Sequence, residues 1–240
     1  MRGGFALVFG LAGCAFQPGG ATSSGDAGHG GGTGSSTDAT AIRDGAALAP
    51  DAFAYRDAPA VRGSLAVTAA ALSDGDVTLS TGTLDWAHWG MTSATSFDHE
   101  SGAGLISDIT LTGATATEIF NITATASWTG GTPDASANQT GTGEGTDYPG
   151  VQTFTVAAGT QPHTLVVYLG GRDSRGQLDV SLSDASATPY SNNSFTSAGA
   201  YHGKYTIVYN ASSDGQTLSV SWTNQTSGGQ YSMIMSATLK

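Results

Sequence analysis

From Ser64 onward, apolar side chains recur at every second position. Phe120, Ile122, Ala124, Ala126 and Trp128 alternate with Asn121, Thr123, Thr125 and Ser127. Leu178, Val180 and Leu182 alternate with Asp179, Ser181 and Ser183, and Tyr205, Ile207 and Tyr209 share one face of their segment. Leu218, Val220 and Trp222 alternate with Ser219, Ser221 and Thr223. A period of two puts one set of side chains on a core and the other toward water. Thr and Val dominate these runs, as suits pleated strands. No segment sustains the i, i+3, i+4, i+7 stripe of an amphipathic helix. The pattern predicts about ten or eleven strands, near 64–70, 76–80, 83–88, 106–112, 116–128, 151–157, 163–169, 177–183, 202–210, 216–223 and 231–239. Ser73-Asp74-Gly75-Asp76 and Ser212-Ser213-Asp214-Gly215 carry the Asp-Gly pair of tight hairpins. Gly130-Gly131-Thr132-Pro133 and Gly170-Gly171 are expected to end strands. Residues 129–150 show no strand pattern and are expected to form a long loop, a kind of segment that often carries function. Together these features predict an all-β fold over residues 63–240, a two-sheet antiparallel β-sandwich of jelly-roll type.

The pattern stops upstream of Ser64. Ala15 to Arg62 is built from Gly, Ala, Ser, Thr, Asp and Pro, including His29-Gly30-Gly31-Gly32-Thr33-Gly34-Ser35-Ser36. Such a stretch cannot bury enough apolar surface to offset its ordering entropy and is expected to be a disordered tether. As a flexible coil it would reach roughly 35–42 Å. Ahead of it, Arg2 supplies a positive start and Phe5 to Leu11 a short apolar run followed by small residues, the order of a secretory signal over residues 1–13. Leu11-Ala12-Gly13-Cys14 resembles the bacterial lipobox. That resemblance implies cleavage before Cys14, diacylglycerol on its thiol, and a bacterial cell envelope location, at the outer membrane or cell surface, with a lipid anchor as the only membrane contact. Residues 14–62 then become lipidated Cys plus tether.

Composition narrows the partners. The 240 residues hold 8 Lys plus Arg against 19 Asp plus Glu, a net charge of −11. No basic stripe exists to neutralise phosphates, so nucleic acid is excluded as a partner. No apolar run approaches the ~20 residues of a membrane span. The single Cys rules out an intrachain disulfide and a Cys-rich zinc site.

Chemistry-bearing patterns are sparse. No Gly-x-Ser-x-Gly elbow is present, and Glu100, Glu118 and Glu144 are the only glutamates from which a glycosidase pair could draw. His88 and His99, with Asp85, Asp98 and Glu100 nearby, offer imidazole and carboxylate for a metal without any recognised spacing. No cofactor is implied, although Asp98, Asp147, Asp173 and Asp184 on expected loops could supply oxygen ligands to a structural calcium. The densest segment is Leu84-Asp85-Trp86-Ala87-His88-Trp89-Gly90. On a straight strand Trp86 and Trp89 face opposite sides. One is then core, and the other exposed or covered by a loop. An exposed ring beside Asp85 and His88 would suit a sugar, whose apolar face stacks on aromatics while polar groups bind its hydroxyls. Tyr148, Tyr190 and Tyr201, on expected loops near Asp147, Asn192 and Asn193, form a second aromatic surface.

The segment Gly82 to Gly90, with Ser96-Phe97-Asp98-His99, Ser127-Trp128-Thr129-Gly130-Gly131-Thr132-Pro133, and the ending from Tyr205 through Thr223, resembles an accessory β-sandwich module of secreted bacterial proteins, often attached to glycoside hydrolases or surface proteins. The resemblance implies a non-catalytic extracellular role and suggests carbohydrate. The expected function is therefore a lipid-anchored binding module for a glycan. The alternatives are a structural or protein-interaction module that meets an envelope or surface protein, and an orphan hydrolase.

Overall fold

The computed structural model describes residues 62–240. The signal segment, Cys14 and the tether up to residue 61 lie outside the described residues. Sixteen strands and no helix are found among the described residues. They are β1 (Ser64–Ala71), β2 (Gly75–Thr78), β3 (Asp85–Trp89), β4 (Phe97–Glu100), β5 (Thr110–Thr112), β6 (Ala116–Ile119), β7 (Ala124–Thr129) and β8 (Gly131–Thr132). The second half adds β9 (Ser136–Thr140), β10 (Gly143–Thr146), β11 (Val151–Ala158), β12 (His163–Leu182), β13 (Tyr190–Asn192), β14 (Thr196–Asn210), β15 (Gln216–Asn224) and β16 (Tyr231–Leu239).

The fold is a two-sheet antiparallel β-sandwich. The first sheet runs β1-β14-β12-β16-β3-β4-β8, with β10 on the flank of β16 beside β3 and β6 beyond it. The second runs β5-β11-β15-β12-β13. One strand serves both. Residues 163–175 of β12 pair with β14, and residues 176–182 pair with β15. The change of partner follows a bulge between Arg172 and Ser174, where Asp173 takes φ 46°. A bulge re-aims a strand and lets it turn a sandwich corner.

Period two explains the main core. Leu165, Val167 and Leu169 of β12, Tyr205, Ile207 and Tyr209 of β14, and Trp89 of β3 meet Phe154 and Val156 of β11, Leu178, Val180 and Leu182 of β12, and Leu218, Val220 and Trp222 of β15. Tyr209 closes the two layers by donating its hydroxyl to the Ala157 carbonyl at 2.8 Å.

A third, three-stranded sheet, β2-β7-β9, accompanies the sandwich and contains a parallel β2–β7 pair. Its Ala126 and Trp128 bury Trp86 of β3 and Leu79 in a separate apolar cluster.

Several expectations are corrected. Segment 129–150 is not strandless: β8, β9 and β10 lie in it. They are short and rich in Gly and Thr, so main-chain pairing, not apolar alternation, defines them. Gly170-Gly171 does not end a strand, because β12 runs through it. A Cβ on Gly170 would come within 2.5 Å of the Tyr201 carbonyl, so this glycine permits close packing. Asp74-Gly75 and Asp214-Gly215 make turns but no hairpins. β1 hands over to β2 in the third sheet, and β14 hands over to β15 in the second. The run 116–128 breaks at Asn121, with φ 61°, and Phe120 is exposed rather than core. The span 106–112 shortens to β5 and a single bridge from Ile106 to Val156.

Candidate functional site

Every residue from Asp85 to Gly90 is buried. Trp89 enters the main core, where it lies 5.9 Å from Phe97 and 5.1 Å from Phe154. Trp86 points the other way, 5.3 Å from Trp128. The opposite-face expectation therefore describes the strand. The cover over the second ring, however, is a third sheet rather than a loop or solvent, and neither ring offers a stacking surface. Asp85 is equally committed. Its Oδ1 accepts from the Trp86 amide at 2.8 Å, and its Oδ2 from the Leu105 and Ile106 amides at 2.6 and 2.8 Å. His88 bridges Ser236 Oγ at 3.0 Å and Thr142 Oγ1 at 2.9 Å, and burial pushes its imidazole down to about 3, so it stays neutral. Gly90 takes φ 74°, and a Cβ there would come within 2.3 Å of Gly143 backbone.

Asp98 accepts from the Asp134 amide at 3.0 Å, and Trp128 donates its Nε1 to the Asp134 carbonyl at 3.1 Å. The segments around Trp86, Asp98 and Trp128 thus meet in one buried seam between the sandwich and the third sheet, while Tyr205 to Thr223 belongs to the main core.

A second region is open. Tyr148 sits in the turn between β10 and β11. Gly150 donates to the Asp147 carbonyl at 2.7 Å, and buried Asn224 holds both ends of the turn. It donates its side chain to the Thr146 carbonyl at 3.2 Å and its amide to the Gly150 carbonyl at 3.0 Å. The turn is fixed while the Tyr148 ring remains 50% exposed. Beside it, the Arg175 amide donates to Thr226 Oγ1 at 2.8 Å, and its carbonyl accepts from the Gln225 amide at 2.8 Å. The backbone is pinned and the side chain is exposed. Arg175 walls two clefts. One, about 370 Å³, is shared with Tyr148, Pro149, Thr223, Asn224 and Gln225. The other, about 390 Å³, is shared with Asp173, Ser174, Thr196, Ser197, Ala198 and Thr226.

The three tyrosines do not form one surface. Tyr201 stands behind the second cleft, its hydroxyl 3.4 Å from Ser174 Oγ and its ring stacked 6.4 Å from Phe195. Burial pushes its phenol up. Tyr190 lines a separate cleft of about 280 Å³ with Asp179, Ser181, Ser191, Ser219 and Ser221. Only Tyr148 lies on a loop as expected; Tyr190 is in β13 and Tyr201 in β14. Sequence reasoning missed Arg175, Asn224, Gln225 and Thr226. One signal was available, the pair Arg172 and Arg175 within four residues of a chain with 8 cations in all.

A larger groove, about 540 Å³, runs over the third sheet beside Ser80, Ser127, Thr129 and Asn138. Two of its hydroxyls are already engaged. Ser127 donates to Asp76 at 2.9 Å and accepts from the Gln139 amide at 2.8 Å, and Ser80 accepts from the Thr129 amide at 3.3 Å. Trp128, its one large ring, is buried.

Among the described residues no three His, Cys, Asp or Glu side chains converge on a point that could hold a metal. Three of the calcium candidates, Asp98, Asp173 and Asp184, have other partners. Asp173 accepts from Gln230 at 2.9 Å, and Asp184 accepts from Ser186 and Ser212, whose hydrogen bonds hold its carboxyl well below the usual range. Of the three glutamates, Glu144 is buried, and desolvation raises it to about 7. Gln152 donates to its Oε1 at 3.3 Å, while Gln152 Oε1 has no donor. None of the clefts described above is lined by a glutamate.

No protein-family model matches this chain. No curated protein matches it either. Among solved structures, it is similar to the enzymatically active domain of tailspike protein 4 of bacteriophage CBA120, with 10% identity and a TM-score of 0.34. The similarity covers 56% of this chain and 19% of that one.

Proposed function

We propose that this chain is a non-catalytic binding module for carbohydrate, held at the cell envelope through Cys14 and its tether. One observation carries the reading. Tyr148 is a half-exposed ring on a turn locked by Asn224, and it shares a cleft with Arg175, Thr223 and Gln225. A fixed ring costs little ordering entropy when a pyranose stacks on it, and the polar wall supplies hydroxyl partners. Clefts of this size fall at the lower end of small-ligand sites. Full-length protein and Tyr148→Ala, applied to a glycan array, test the reading. The expected result is a saccharide signal that falls at least about tenfold in the variant; no signal, or an equal one, overturns it. For the anchor, Cys14→Ser should release the protein from membranes on cell fractionation, and unchanged retention refutes lipidation.

A protein-interaction role is the second reading, favoured by β1. This eight-residue strand pairs only with β14 among the described residues and carries no charge. Long uncharged edges invite another strand. A dimer or partner complex that a lysine at Ala69 disrupts, with no saccharide bound, would support it.

A further inference from the structure

The cations among the described residues are Arg62, Arg172, Arg175, Lys204 and Lys240, in a chain whose net charge is −11. Two of them bracket the β12 bulge. Arg172 lies 3.9 Å from Asp173, whose carboxylate also accepts from Gln230 at 2.9 Å. Both contacts fall on Oδ2, and Asp173 lines only the second cleft, not the one that Arg175 shares with Tyr148. Arg175 has no carboxylate partner among the described residues. Its backbone bonds to Thr226 and Gln225 fix where the side chain starts, and the exposed residue lines both clefts. Asp147, next to Tyr148 in sequence, is exposed but lines neither cleft.

We infer that the glycan taken by this surface carries an anionic group, a uronate carboxylate or a sulfate ester, bound by Arg175 while Tyr148 stacks on a sugar ring. The inference rests on the carbohydrate reading above and names its ligand class. A guanidinium fork matches two oxygens of one anion, and charge-assisted bonds of this kind are about twice as strong as neutral ones. The surrounding acidity adds discrimination. Away from this wall an anionic polymer meets repulsion screened over about 10 Å, so binding depends on one local contact rather than on bulk charge.

Affinity electrophoresis of the full chain tests this, in gels cast with polygalacturonate, dextran sulfate or neutral dextran. At least one anionic polymer should retard the protein more than dextran does. Arg175→Gln should weaken that retardation roughly tenfold or more, and Arg175→Lys should retain part of it. Polygalacturonate and dextran sulfate compared with each other tell carboxylate from sulfate. Because Arg175 contributes only backbone bonds to the fold, matching thermal melts of wild type and Arg175→Gln confirm that the loss is local. Equal retardation by dextran, or anionic retardation unchanged in Arg175→Gln, overturns the anion inference and leaves a Tyr148-dependent glycan reading standing. Retardation by none of the polymers, together with a silent glycan array, overturns both.

Discussion

The Asp85–Gly90 seam and the β12 bulge surface differ in how their residues are spent. In the seam, two indoles, an imidazole and a carboxylate are within six consecutive positions and all are buried, the imidazole and carboxylate hydrogen-bonded and the indoles packed against other rings. At the bulge, Tyr148, Arg175 and Gln225 come from distant parts of the chain, and hydrogen bonds fix their backbones while Tyr148 and Arg175 face solvent. Density of aromatic residues along a sequence marks a place where several layers must be packed. A ligand surface needs rings and polar groups left over after packing, and those gather from separate strands.

The largest expected effects break the seam. Trp86→Ala and Trp89→Ala should each cost about 3–5 kcal/mol, because each empties a filled core on its own side of β3. Thermal melts should show drops of roughly 6–20 °C. A melt unchanged for either variant would mean that one side of β3 is not a core. Asp85→Asn comes next. It sets an amide NH2 or a lost charge against the Leu105 and Ile106 amides and should cost roughly 2–4 kcal/mol, with loss of hydrogen-exchange protection at those two positions.

Titration is the third way to probe the packed interior. Glu144 rises on folding from 4.5 to about 7, so the folded state holds its proton more tightly than the unfolded one. Its contribution is fully present below about 4.5 and is lost as pH rises through about 7, by at most about 3 kcal/mol. His88 has the opposite sign. Folding lowers it from 6.5 to about 3, so stability falls as pH drops through that window. Urea midpoints measured against pH should therefore fall on both sides of mildly acidic pH. Glu144→Gln should flatten the upper limb, and a limb left unchanged would show that Glu144 is ionised in the fold. The smallest stability effect belongs to the open region. Tyr148→Ala should change stability by less than about 0.5 kcal/mol, and a large drop in melting temperature would make Tyr148 part of the packing and remove it from any ligand surface.

Local sequence was enough to determine which way most residues of the long strands face, though not Phe120, which the break at Asn121 turns outward. The alternation in Leu178–Leu182, Tyr205–Tyr209 and Leu218–Trp222 identifies core faces correctly, and the spacing of Trp86 and Trp89 puts them on opposite sides of β3, because side-chain direction in a strand depends only on the pleat. The all-β class and the sandwich follow from the same signal. Tertiary structure alone decided what lies on each face. The third sheet covers Trp86 through a parallel β2–β7 pairing across a long sequence gap, β8 and β10 exist through main-chain bonds to distant partners, and β9 through pairing back onto β7. Two Asp-Gly turns lead from one sheet to another instead of folding hairpins, and β12 passes through two glycines because Tyr201 packs against them. The meeting of Tyr148 with Arg175 has the same origin. It depends on a bulge in β12 and on Asn224 clamping a turn far away in sequence, and pairings of that range are set by the free energy of the whole assembled core, not by the residues beside them.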